Sequence, residues 1–277
     1  MTAVVRDVVA ALEAAYPPAL AQSWDAVGLV CGDPAEPVRR VLVAVDPVAE
    51  TVAEALEWDA QLLVAHHPLL LRGVHGVPAD DPKGALVHRL VRAGVGLFCA
   101  HTNADAADPG VSDALAHALG LRVTGVLDPR EGHSRTGLGR ICELPQPESL
   151  RAFTNRVHDA LPETAGGVRA AGNPRRPVRI VAICGGAGDS LLGTAASARV
   201  DAFVTADLRH HPVSEHLAAG GPALVDVAHW ASEHPWCVQA AAVVSTALGG
   251  TVDVRISYRR TDPWTIGSAQ PDGSSPR

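Results

Sequence analysis

Short apolar runs alternate with amphipathic stretches along most of the chain. "VRRVLVAVD" (38–46), "AQLLVAHHP" (60–68) and "VGLFCAHT" (95–102) are rich in Val, Leu and Phe and bounded by polar or turn residues, so each predicts a strand. Between and after them lie "PVAETVAEALEW" (47–58), "KGALVHRLVRAG" (83–94) and "GVSDALAHALGL" (110–121), each with helical spacing of apolar positions. Pro47 marks one helix start and Gly94 one helix end. The N-terminal "MTAVVRDVVAALEAAY" reads as a further amphipathic helix.

From about Gly125 to Pro177 the pattern loosens. "RTGLGRICEL" predicts a strand and "PESLRAFTNRVHDAL" a helix, followed by the Gly/Pro/Arg-rich "GGVRAAGNPRRP". The alternation then resumes. "VRIVAIC", "VDAFVTAD", "PALVDVAH" and "VDVRISY" predict strands; "LLGTAASAR", "PVSEHLAAG" and "PWCVQAAAVVSTALGG" predict helices. Such alternation implies an α/β fold with parallel or mixed sheets. "DAQLLVAHHPLLL" and "DAFVTADLRHHPV" echo one another, which suggests two similar lobes, 1–125 and 126–262, followed by a disordered Pro/Gly/Ser-rich tail, 263–277.

Composition narrows the function classes. The 277 residues are 47% hydrophobic, enough for a large core, and the net charge is −7 with no basic cluster to track a phosphate backbone. No apolar run approaches the ~20 residues needed to span a bilayer, and the N-terminus carries no cleavage signature. The five cysteines are widely spaced with no CxxC pair, which argues against a thiolate zinc site and for a reducing compartment, the cytoplasm. Histidine, at 13, is the residue type whose positions need a reason.

His66 and His67 end a predicted strand, where ligands gather in α/β sheets. Neighbouring strand side chains diverge, so the two imidazoles suit two metal ions better than one chelate. "CAHTNADAA" places His101, Asn103 and Asp105 at the next strand end; an Asx turn would account for Asn103 without a ligand, and for Asp105 less well. In "VDVAHWASEHP", His229 and Glu233 are four apart and share a face if the stretch is helical, and a carboxylate there can bridge ions ~3.5–4 Å apart. Each cluster alone is also what a hydrogen-bonded turn or a surface helix pair produces. Together they supply nitrogen and oxygen ligands and no thiolate, a set suited to a dinuclear hydrolytic site.

"SWDAVGLVCGDP", "VAHHPLL", "CAHTNADAA", "VAICGGAGD", "DAFVTADLRHH" and "DVAHWASE" resemble the Nif-three-like family, whose dinuclear-metal members carry the name GTP cyclohydrolase I type 2. The resemblance runs from the N-terminal helix to about Tyr258, and 125–177 is too short for the inserted domain some members carry. It implies His66 and Asp105 on one metal, His67 and His229 on the other, Glu233 bridging, and a cleft between the lobes. It further implies two divalent ions (Zn, Fe, Mn, Co or Ni), hydrolytic opening of the GTP purine ring and a homo-oligomer, commonly a hexameric ring.

His101, Asp207 and His211 are expected to relay protons or touch substrate, and His210 to be incidental. Ala26 stands where the family has asparagine, "TAD" replaces "TGD" and "AHW" replaces "GHY"; none removes a ligand. "AICGGAGDS" reads as a tight turn; the alternative is an anion cradle of Gly185, Gly186 and Gly188. Trp24 and Asp25 read as a staple holding the N-terminal helix to the sheet. The rival functions are a phosphoesterase or nucleotide hydrolase of other specificity, and a non-catalytic metal-binding interaction protein.

Overall fold

The computed structural model describes residues 2–267. Its strands, in chain order, are β1 (Gly28–Cys31), β2 (Arg40–Ala44), β3 (Leu62–Ala65), β4 (Gly96–Cys99), β5 (Arg122–Pro129), β6 (Gly137–Ser149), β7 (Arg169–Ala171), β8 (Pro177–Ala187), β9 (Ala202–Ala206), β10 (Ala223–Val227) and β11 (Asp253–Ile256). They form two mixed sheets, ordered β1-β4-β3-β2-β11 and β5-β6-β8-β9-β10-β7, which bears out the α/β class.

In the first sheet β11, β2, β3 and β4 run parallel and β1 closes the edge antiparallel to β4. β2, β3 and β4 are buried almost throughout, as continuous apolar runs require when helices cover both faces. Leu42, Leu63, Leu90 and Leu97 pack with Val52 and Ala55 in one core, each leucine contributing about 1.5–3 kcal/mol on burial. The second sheet has β8, β9 and β10 parallel at its centre, with antiparallel β5, β6 and β7 outside. Phe203, Ala182, Leu224 and Leu127 centre its core.

The chain divides into two compact units. One comprises the residues up to Val111 with Trp236–Thr261; the other comprises Ser112–Pro235 with the described residues from Asp262 onward. A single cut near residue 125 does not describe this, because the end of the helix His229–Ala247 and β11 return to the first unit. That helix also begins six residues before Pro235, where the pattern placed its start, and so carries a proline in its interior. Of the expected tail, residues 263–267 have no regular structure and Gly267 packs against Ala165; the rest lies outside the described residues.

No disulfide joins the five cysteines. Four are buried, and burial pushes the Cys142 thiol up to about 12. Among the described residues no helix is long and apolar enough to cross a membrane.

Candidate metal centre

β3 and β4 are parallel neighbours, with Ala65 opposite Cys99, so the residues that follow them emerge at the same sheet edge. His66 and His67 follow β3, and His101 follows β4 two residues on. Their ligand-capable nitrogens lie within 4.8 Å of one another. His66 is fully buried, and His67 and His101 are partly exposed. Asp105, on the short helix Thr102–Ala106, brings Oδ1 to 3.7 Å from His66 Nε2. Asn103 spends its side chain on backbone groups: Oδ1 accepts from the N–H of His101, the residue capping the short helix, and Nδ2 donates to the distant Tyr16 carbonyl. Asn103 is thus occupied without a ligand, but its bond runs back toward the cap and not forward as in an Asx turn.

Each of these imidazoles is held through Nδ1. His66 Nδ1 donates to the Ala100 carbonyl (2.8 Å), His67 Nδ1 to Asp46 Oδ1 (2.7 Å) and His101 Nδ1 to Asp25 Oδ1 (2.8 Å). A carbonyl cannot donate, so His66 Nδ1 carries a proton, and in the neutral ring Nε2 then holds the lone pair. Burial works against the Asp25 charge, but hydrogen bonds from Thr102 and His101 outweigh it and hold the carboxyl below its ordinary range. Burial lowers the His101 pKa, with the Asp25 hydrogen bond and charge opposing it, which favours the neutral imidazole.

The second unit carries a matching arrangement. The helix His229–Ala247 starts at His229, so the conditional face-sharing of His229 and Glu233 is realised: His229 Nε2 lies 3.0 Å from Glu233 Oε1. His229 Nδ1 bonds Asp207 Oδ2 at 2.7 Å. Asp207 follows β9 directly in the left-handed region (φ 59°), a conformation aspartate tolerates better than most residues, with its carboxylate on the imidazole. Glu233 is only 3% exposed. The glycine turn seats it: a Cβ on Gly186 would stand 2.4 Å from Glu233 Oε1. β8 runs on through that turn to Ala187, with its register against β9 shifting between Ile183 and Ala187.

These donors fit a divalent cation. With Nδ1 donating to Asp207, His229 presents a lone pair to a carboxylate oxygen 3.0 Å away. Two like-signed groups at that distance need a cation, either a proton or a metal ion. His66 Nε2 faces Asp105 in the same sense. An imidazole whose far nitrogen donates to a carboxylate or carbonyl is the usual setting of a metal-binding histidine.

Asp25 and Asp46 were missed as orienting groups. Asp46 had a faint signal, an acid ending the apolar run of β2 beside β3; Asp25 stood in the quoted "SWDAVGLVCGDP" but was read only as part of a staple. Asp207, expected near the chemistry, positions His229. His101, expected as a proton carrier, stands in the group with His66 and His67. Among the described residues His211 joins no such group; it stands beside His210 at the start of the helix His210–Ala218, ring centroids 5.1 Å apart.

Residues 3–263 match the family model described as Duf34/NIF3 (NGG1p interacting factor 3). A Streptomyces coelicolor protein named GTP cyclohydrolase 1 type 2 homolog is 52% identical over 274 residues, covering 97% of this chain and 96% of that protein. A Mycobacterium bovis protein of the same name is 42% identical over 372 aligned positions, covering 96% of this chain and 98% of its own length. That alignment exceeds the 277 residues here, so the mycobacterial relative carries segments this chain lacks. Among solved structures, a Bacillus cereus protein related to NIF3 superposes with a TM-score of 0.88 at 22% identity, covering 96% of this chain and all of that one, a likeness of fold.

Proposed function

Because the chain belongs to the Duf34/NIF3 family, we propose that it is a metal-dependent hydrolase that holds two divalent ions and opens the purine ring of GTP. In this reading His66 and Asp105 hold one ion, His67 and His229 the other, and Glu233 spans both. The observation that carries it is the repeated engagement of Nδ1 at His66, His67 and His229, which leaves Nε2 as the ligand atom in each. The all-nitrogen-and-oxygen donor set suits Zn, Fe, Mn, Co or Ni. Bound ions would supply Lewis acidity toward substrate and water.

The chain's other residues have work of their own. Neutral His101, steadied by Asp25, accepts a proton at Nε2. Asp46 and Asp207 fix the tautomers and ring planes of His67 and His229. His211 remains a candidate for substrate contact. The relatives' name supports a guanine nucleotide as substrate. The working form is a cytoplasmic homo-oligomer, hexameric by the family resemblance.

Elemental analysis of freshly purified protein, with GTP consumption followed before and after chelation, tests the reading. About two ions per chain and metal-dependent GTP consumption are expected. Metal without GTP turnover but with cleavage of other phosphate esters would move the substrate to that class. Metal without any turnover would favour an interaction role, and no metal after reconstitution would end the proposal.

The orienting carboxylates give a finer check. Asp46→Asn keeps an acceptor for His67 and a partner for the Thr261 hydroxyl, but removes the charge. Metal affinity is expected to fall about tenfold, and toward a hundredfold in Asp46→Ala, by competition with a chelating dye. Unchanged affinity in both would mean that Asp46 serves only the fold.

A further inference from the structure

The loop that supplies Asp25 is tied down on several sides. Gln22 N–H donates to Thr102 Oγ1 (2.9 Å), Asp25 N–H to the Gln22 carbonyl (3.0 Å), and Thr102 N–H to Asp25 Oδ2 (2.9 Å), while Asp25 Oδ1 receives His101 Nδ1–H. Trp24 sits inside this pinned stretch. The residue nevertheless stays 58% exposed, its ring edge-on to His101 with centroids 6.1 Å apart. Trp230 and Trp236 are buried; Trp264 is exposed too, at 71%, and what sets Trp24 apart is its place beside His101. An indole that staples a helix to a sheet hides its ring, so the staple reading fails for Trp24, though Asp25 does bind the loop to His101.

Leaving most of an indole in water forgoes a large gain from burial. With the loop on either side of it pinned, little backbone ordering remains to be done when a flat ring lands on it. We infer that Trp24 is a stacking platform for a planar heteroaromatic ring, which it positions beside His101, making it a determinant of substrate class. This rests on the hydrolase reading above, since His101 is the group there that receives a proton. Stacking is tolerant of base identity, so Trp24 selects for a flat π-system and leaves guanine against adenine to other residues.

The test uses the metal-loaded full chain, Trp24→Ala and Trp24→Phe, with metal content and oligomeric state measured on each. GTP, ATP, UTP and, as a ring-free control, ribose 5-phosphate are titrated while indole fluorescence is followed. Binding of a second kind is read by calorimetry. A nucleotide is expected to quench wild-type fluorescence, with the Trp24 share of the quench missing in Trp24→Phe. Affinity should drop about tenfold or more in Trp24→Ala and be largely restored in Trp24→Phe, while ribose 5-phosphate binds all three alike.

The inference falls if no nucleotide quenches Trp24, or if Trp24→Ala binds or turns over GTP with wild-type affinity and KM. It also falls if Trp24→Ala changes only the oligomeric state, which would make the ring an assembly contact. Quenching by a nucleotide that is never hydrolysed would sustain the platform and remove the hydrolase reading. Turnover of GTP unaffected by Trp24→Ala would do the reverse.

Discussion

Glu233→Ala is expected to lose metal from the protein and GTP turnover with it, the largest effect of any single ligand change. The carboxylate is almost fully buried, and its Oε1 stands 3.0 Å from the His229 nitrogen that faces it. If it spans two ions, its removal opens a coordination position on each at once. The affinity loss should therefore exceed the roughly 10–100-fold that follows removal of a mere orienting partner.

Thermal melting with and without added metal separates this from damage to the fold. A ion bound only by the folded state raises stability by mass action, about 2.7 kcal/mol at a hundred times Kd. Metal should thus raise the melting temperature of wild type and leave that of Glu233→Ala unmoved. A variant that holds wild-type metal would sink the bridging role. A metal-free variant melting more than about 4 °C below metal-free wild type would show that Glu233 also supports the fold.

Much of this candidate site is legible in the sequence, for a definite reason. β2, β3, β4, β9 and β10 are short apolar runs, and polar residues that end such runs stand out: His66, His67, His101, Asp46 and Asp207 all do so. His229 and Glu233 were legible through their spacing once a helix was granted. What was not legible depends on partners distant in sequence. Asp25 and His101 are 76 positions apart, and no periodicity links a loop after the N-terminal helix to the end of β4. β7 hid in a Gly/Pro/Arg-rich stretch because an edge strand of three residues, mostly exposed, has no apolar pattern to show. Pro235 read as a helix start because proline is common there. Here the helix runs through it and gives up one backbone bond.

Gly186→Ala is expected to cost metal binding nearly as much as loss of Glu233 itself, although the substitution adds one methyl group and touches no ligand chemistry. Gly186 has φ 69°, and a Cβ there would stand 2.4 Å from Glu233 Oε1 and 3.3 Å from His229 Nε2. The backbone has little room to yield, since Gly186 N–H donates to Ser232 Oγ and the Gly186 carbonyl accepts from Thr205 Oγ1, both at 2.9 Å. The carboxylate must move instead. Backbone strain alone is controlled by Gly94→Ala, where φ is 68° and nothing lies within 4 Å of the added Cβ. Both variants bear the left-handed penalty of about 1–2 kcal/mol, so both should melt lower. Only Gly186→Ala should lose metal by elemental analysis. If it keeps its metal and shows only a raised KM for phosphorylated substrates, the turn is an anion cradle after all, and the fit of Glu233 against Gly186 has no part in holding the ions.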